Sequence, residues 1–179
     1  MTRQSVIAYW LIPAHPVHSF FQRIIIDLVG RYHAPAFEPH VTIHVGADRA
    51  EPAENALGAA ARECGPITLT PLGIDQSEEF VKTLFVQFCL NTELQKMADS
   101  IRGAGNDSPH YQLRPHLSLL YKRLETGTRL ELAALIKIPF SEVTFDAVKA
   151  VRCISPTKSN ADVEAWQVIA AASLSGNRV

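Results

Sequence analysis

Apolar and polar positions fall into short alternating blocks along this chain. Residues 6–12 form a continuous apolar run rich in β-branched and aromatic side chains, which predicts a buried strand ended by Pro13. Over residues 18–31 the apolar positions Phe20, Phe21, Ile24, Ile25, Leu28 and Val29 recur at helical spacing. Pro35 and Pro39 break the chain, and residues 40–45 then predict a short strand that Gly46 ends. Residues 50–64 are rich in Ala and Glu and stop at Gly65, a helix with a glycine terminus. Residues 67–74 and 83–90 predict two strands joined by a polar hairpin over 75–82.

The pattern then restarts. Asn91 is placed to cap a helix over residues 92–101. A loop containing Gly, Asn, Asp, Ser and Pro covers 103–109, and Pro115 precedes a predicted strand over 116–121. A helix over 128–136 and strands over 143–154 and 166–174 complete the reading, with 175–179 expected to fray. Each half thus carries a helix, a short strand opening with Pro-His, a second helix and further strands. This predicts an α+β fold, one domain over 1–179 with a pseudo-repeat of roughly 1–90 and 91–179.

Composition narrows the function. The chain has 179 residues, 47% hydrophobic and 20% charged, which suits a folded globular domain. A formal net charge of −1 disfavours a protein that coats long nucleic acid, whereas one local patch of positive charge suffices for a small anion. Cys64, Cys89 and Cys153 are odd in number, far apart and free of any CxxC spacing. They are expected as reduced, mostly buried thiols rather than a disulfide framework or zinc site. The N-terminal apolar run is too short to span a membrane and lacks a signal cleavage region, so a soluble cytoplasmic protein is expected, with a monomer as the default that no sequence feature decides.

The chemistry concentrates in Pro39-His40-Val41-Thr42-Ile43 and Pro115-His116-Leu117-Ser118-Leu119. Both read Pro-His-apolar-hydroxyl-apolar. In a strand, His40 and Thr42 share one face and Val41 and Ile43 the other, with the same division around His116 and Ser118. Each strand can bury its apolar face and present an imidazole and a hydroxyl, roughly 6–7 Å apart at Cα, to a cleft. His-x-Ser/Thr alone is a weak signal among seven histidines. The preceding prolines, the strand context and the equivalent places in the two halves make it specific.

The pair resembles the signature of the two-histidine (2H) phosphoesterase superfamily. FEPHVTI and RPHLSLLY, with YWLIP near the start, resemble more narrowly its cyclic phosphodiesterase branch, which acts on ADP-ribose 1″,2″-cyclic phosphate and nucleoside 2′,3′-cyclic phosphates. The resemblance implies two antiparallel-sheet lobes lining a central cleft, with helices outside. It implies His40 and His116 as catalytic residues, with Thr42, Ser118 and Tyr121 binding substrate. Strict alternation puts Tyr121 on the face opposite His116, so it reaches the cleft only if the strand bends or ends by Leu120.

Histidine suits both the base that deprotonates water and the acid that protonates the leaving oxygen near neutral pH. Thr42 and Ser118 can donate to non-bridging phosphate oxygens, so the expectation is catalysis with no metal or cofactor on a small cyclic phosphate nucleotide. RNA 2′,3′-cyclic ends or 2′–5′ linkages are an alternative that the net charge disfavours, and a noncatalytic phosphate-binding module is another. Arg114, Lys122 and Arg123 could attract an anion, although solvated strand ends account for the last two. Core packing is the favoured reading for Trp10, Phe37 and Phe85. His44 shares strand parity with His40 and could edge the cleft, with exposure the favoured reading. His15 and His18 are expected at the surface. A zinc site from His40, His44 and His116 lacks a carboxylate at matching spacing. GxGxxG, Walker and Gly-x-Ser-x-Gly motifs are absent.

Overall fold

A computed structural model describes residues 3–105 and 111–175. The first strand, β1 (Gln4–Pro13), is apolar throughout most of its length because both its faces are covered. Ile7, Tyr9 and Leu11 enter the main core cluster, while Ala8, Trp10 and Ile12 pack with Val151 in a second one. The main cluster lies under three helices. Phe21, Ile25 and Leu28 come from α1 (Val17–Tyr32), Ala53, Leu57 and Ala60 from α2 (Ala50–Glu63), and Leu94, Met97 and Ile101 from α3 (Thr92–Gly105). The helices therefore cover one face of the sheet and leave the Trp10 face for a cleft. Asn91 Oδ1 accepts from the Leu94 amide at 2.9 Å, the cap expected at the start of α3.

The remaining strands are β2 (Val41–Ala47), β3 (Ile67–Leu69), β4 (Pro71–Gln76), β5 (Leu84–Phe88), β6 (His116–Leu120), β7 (Val143–Ser155) and β8 (Gln167–Ser173). They pair antiparallel in the order β3-β7-β1-β2-β6-β5-β4, with β8 also on β7. Between β2 and β6 a single register pair is made, Val41 with Leu117. That seam divides the sheet into two lobes, one around β1 and β7, the other of β4, β5 and β6. Both lobes draw strands from both halves of the chain, since β4 and β5 join β6 while β7 and β8 return to β1.

Four sequence expectations change. The strand expected over 67–74 is two strands in different lobes, because Pro71 cannot donate to a ladder and Thr70 instead accepts from the Cys89 amide. A short helix, α5 (Asn160–Glu164), adds to the expected elements, and Ser159 and Asp162 form the capping box that starts it. Cys64 and Cys153 are half-buried and Cys89 is exposed, so the thiols are free but not mostly buried. Helix α4 (Thr126–Leu135) begins two residues ahead of its expected start. His110, much of the 103–109 loop and 176–179 lie outside the described residues. Among the described residues no helix is long and apolar enough to cross a membrane.

Candidate active site

Each catalytic candidate sits one residue before the seam pair: His40 before Val41, His116 before Leu117. An antiparallel pair has a local two-fold axis through its centre. That axis relates His40 to His116 and Thr42 to Ser118, and the continued register sets His40 opposite Ser118 and Thr42 opposite His116. The ladder between the two strands consists of that one pair.

The flanking strands repeat the relation. Trp10 of β1 pairs with Thr42, and Phe85 of β5 pairs with Ser118. Each pairing is followed by a register shift. Tyr9 pairs with His44, which leaves Ile43 extra, and Leu84 pairs with Leu120, which leaves Leu119 extra. A β-bulge of this kind resets which face the following residues occupy. His44 therefore turns to the core side, buried and 5.8 Å from the Tyr9 ring centroid, rather than sharing the His40 face at an exposed cleft edge. The same reset brings Tyr121, beyond the end of β6, to the cleft. It also removes the zinc arrangement, since His44 faces away from His40. Among the described residues no three His, Cys, Asp or Glu groups could hold one ion.

The two imidazoles are anchored alike. His40 Nδ1 lies 2.6 Å from the Glu38 carbonyl oxygen, and His116 Nδ1 lies 2.8 Å from that of Arg114. A carbonyl only accepts, so each Nδ1 carries the hydrogen and the neutral ring keeps its lone pair on Nε2. The intervening proline explains the shared geometry. Pro39 and Pro115 hold residues 38 and 114 extended and bring no amide of their own to compete for the carbonyl.

The rings differ in what surrounds them. His40 is buried and stacked on Trp10, with centroids 3.8 Å apart and an interplanar angle of 13°. Trp166 and Phe37 meet it edge-on. Desolvation lowers the His40 pKa from 6.5 to about 4, against an opposing pull from the Glu38 carbonyl and carboxylate. His116 is half-exposed, edge-on to Phe85 at 5.5 Å, and burial lowers its pKa as well, opposed by the Arg114 carbonyl. Below pH 6.5 the unfolded chain binds a proton that folded His40 refuses until about pH 4. The stability held by neutral His40 above pH 6.5 is thus lost as pH falls toward 4, on the order of 3 kcal/mol. The expected result is a melting temperature that drops between pH 7 and 4.5 in the native protein and drops less in His40→Gln. Parallel slopes in a thermal unfolding series would contradict this.

A cavity of about 300 Å³ holds His40, Thr42, His116 and Tyr121 in its lining, together with Trp166 and Tyr111. Ser118 is not in that lining. It is buried, and its hydroxyl donates to the Val81 carbonyl at 2.8 Å. Tyr121 stacks on Phe37 at 4.0 Å and 13°, and its burial holds the phenol well above its ordinary pKa, so it stays a neutral donor. Trp10 and Phe37 are buried, as expected, and each lies flat against a ring of the site. Arg114 is exposed and donates to the Gln112 side chain. Two residues outside the motifs stand beside Glu38. The Lys149 ammonium lies 2.6 Å from the Glu38 carboxylate, and half-buried His18 stands 3.4 Å from the same group. The FEPH segment carries the signal for Glu38. Nothing local marks Lys149, which arrives from β7, or Trp166, which lies just ahead of β8. Cys153 also lines the cavity, but burial pushes its thiol up to about 11, so it is no nucleophile at neutral pH.

A family model described as cyclic phosphodiesterase-like protein matches residues 5–174. The chain belongs to this family. A cyclic phosphodiesterase of Arabidopsis thaliana is 23% identical over 176 residues, 96% of this chain and 97% of that one. The fold is shared with solved structures of TT0787 from Thermus thermophilus (TM-score 0.59, 14% identity, 97% and 100% of the two chains) and LigT from E. coli complexed with 3′-AMP (0.55, 13%, 96% and 98%). This cyclic phosphodiesterase-like protein is a 2H phosphoesterase, a hydrolase acting on phosphodiester bonds. Its α+β, two-lobed antiparallel architecture is the one the motifs implied.

Proposed function

We propose that the protein hydrolyses nucleoside 2′,3′-cyclic phosphates, ADP-ribose 1″,2″-cyclic phosphate, or both, to monophosphates. One observation carries this reading: two imidazoles, related by the seam and locked in the same tautomer by backbone carbonyls, line one cavity. The low proton affinity of His40 suits it as base, and the more exposed His116 suits the acid. His40 Nε2 takes a proton from water as the oxygen attacks phosphorus, and His116 Nε2–H protonates the departing ring oxygen. Thr42 donates to a non-bridging oxygen, and so does Ser118 after turning from the Val81 carbonyl, exchanging a neutral acceptor for a charged one. Tyr121 closes the cavity above them.

The test is a hydrolysis screen over both cyclic phosphate classes and an oligonucleotide with a cyclic end, with the double His40→Gln, His116→Gln variant as control. Turnover of neither mononucleotide class would overturn the proposal. The free enzyme is active with one proton on the pair, so kcat/KM is expected to peak between about pH 4 and 6.5, falling on the acid side as His40 protonates and on the alkaline side as His116 loses its proton. A bound phosphate anion raises both affinities, so the kcat profile lies at higher pH. A single rising limb with no alkaline fall would remove the acid role.

A further inference from the structure

The two sides of the cleft are not electrically equivalent. Beside His40, Lys149 is neutralised by Glu38. Beside His116, Lys82 has no carboxylate partner among the described residues, and its ammonium instead rests over the Phe85 ring, 4.3 Å from the centroid. Phe85 is the same ring that meets His116 edge-on. The wall that presents Lys82 is the single 3-10 turn Phe80–Lys82, and Val81 within it lines the cavity. That turn is fixed just after the lysine. The Oγ1 of buried Thr83 lies within hydrogen-bond reach of the Glu79, Phe80 and Lys122 carbonyls and gives its one hydrogen among them. The lysine is therefore held beside His116 by a fixed turn, on a flexible stem whose ammonium rests on an aromatic face.

An aromatic face holds an ammonium only weakly where water still reaches it. A phosphoryl oxygen is a stronger partner. We infer that Lys82 is a substrate-binding residue of this site, leaving Phe85 to pair with the anionic phosphoryl group on the His116 side of the cleft. The inference rests on the proposed phosphoesterase reading and deepens it, giving the bound phosphate a fixed charged side and thus an orientation between the two imidazoles. The groups that face His116 are Lys82 and Glu79 from the turn, Phe85 and Gln87 from β5, the Arg114 carbonyl and, across the seam, His40. Lys82 lowers the proton affinity of His116 and Glu79 raises it, which gives a second readout at the same residue.

The experiment compares the wild type with Lys82→Met, Lys82→Gln and Lys82→Arg. Inorganic phosphate is titrated while the His116 ring resonances are followed by NMR, and KM and kcat are measured on a cyclic phosphate at two salt concentrations. Met and Gln are expected to weaken phosphate binding and raise KM by about tenfold or more, flatten the salt dependence, and move the His116 titration to higher pH. Arg is expected to keep most of the affinity. Unchanged phosphate affinity and unchanged KM in folded Met and Gln variants would overturn the inference. If wild-type protein binds phosphate but opens no cyclic phosphate, the proposed function fails, while the NMR comparison still decides the role of Lys82.

Discussion

His40→Gln is expected to lower kcat on a cyclic phosphate by roughly 1,000-fold or more, with KM changing by less than about tenfold. Glutamine keeps an amide that can bond the Glu38 carbonyl and fills much of the ring's space, but it neither accepts nor releases a proton at a useful pH. His116→Gln is expected to lose a similar factor through the other half of the transfer. The double variant is expected to lose little more than the worse single one, because the two rings act on one transition state and their losses do not add. Steady-state kinetics on protein shown folded by circular dichroism checks this. A kcat within tenfold of wild type for either variant would remove that ring from the chemistry.

Trp10→Ala is expected to give the largest stability loss among the residues around the site, about 3–5 kcal/mol by urea unfolding. Trp10 is buried in an interior strand, lies flat on His40, meets Trp166 edge-on and packs in the cluster with Ala8, Ile12 and Val151. Truncation opens a cavity beneath the imidazole, and the surrounding strands are paired on both sides, so collapse around it is limited. Water entering that cavity would solvate His40 and raise its pKa toward 6.5, moving the acid limb of kcat/KM upward. Trp10→Phe refills part of the space and is expected to recover about half of the loss. A destabilisation below about 1 kcal/mol in Trp10→Ala would show that the stack is incidental.

Much of the site is legible in the residues, for a local reason. Pro-His-x-hydroxyl fixes the backbone before the histidine, the tether of its ring and the face it shares with the hydroxyl, all within one short segment. What the sequence hides is set by the neighbouring strand. Period-two alternation puts His44 beside His40 and Tyr121 away from His116, and both placements are reversed by one extra residue in each motif strand, Ile43 and Leu119. Nothing in Ile or Leu announces a bulge, because register belongs to the pair of strands and not to either alone. Ser118 shows the same limit. Its hydroxyl matches Thr42 in pattern, yet a carbonyl 37 residues away claims it. The helices and the buried β1 were readable because burial against many neighbours depends on period and composition rather than on any one partner.

The tether of both Nδ1 atoms has an outcome for successive reaction cycles. In the proposed mechanism each ring can trade a hydrogen only at its far nitrogen, so a completed ring opening would leave His40 charged and His116 neutral, the reverse of the starting arrangement. Recovery needs one hydrogen ion to leave the first and one to reach the second. The crowded aromatic box around His40 makes it shed that ion readily, and the half-open position of His116 lets solvent supply a replacement. The unequal surroundings of two otherwise matched rings therefore give the cycle a preferred direction of reset.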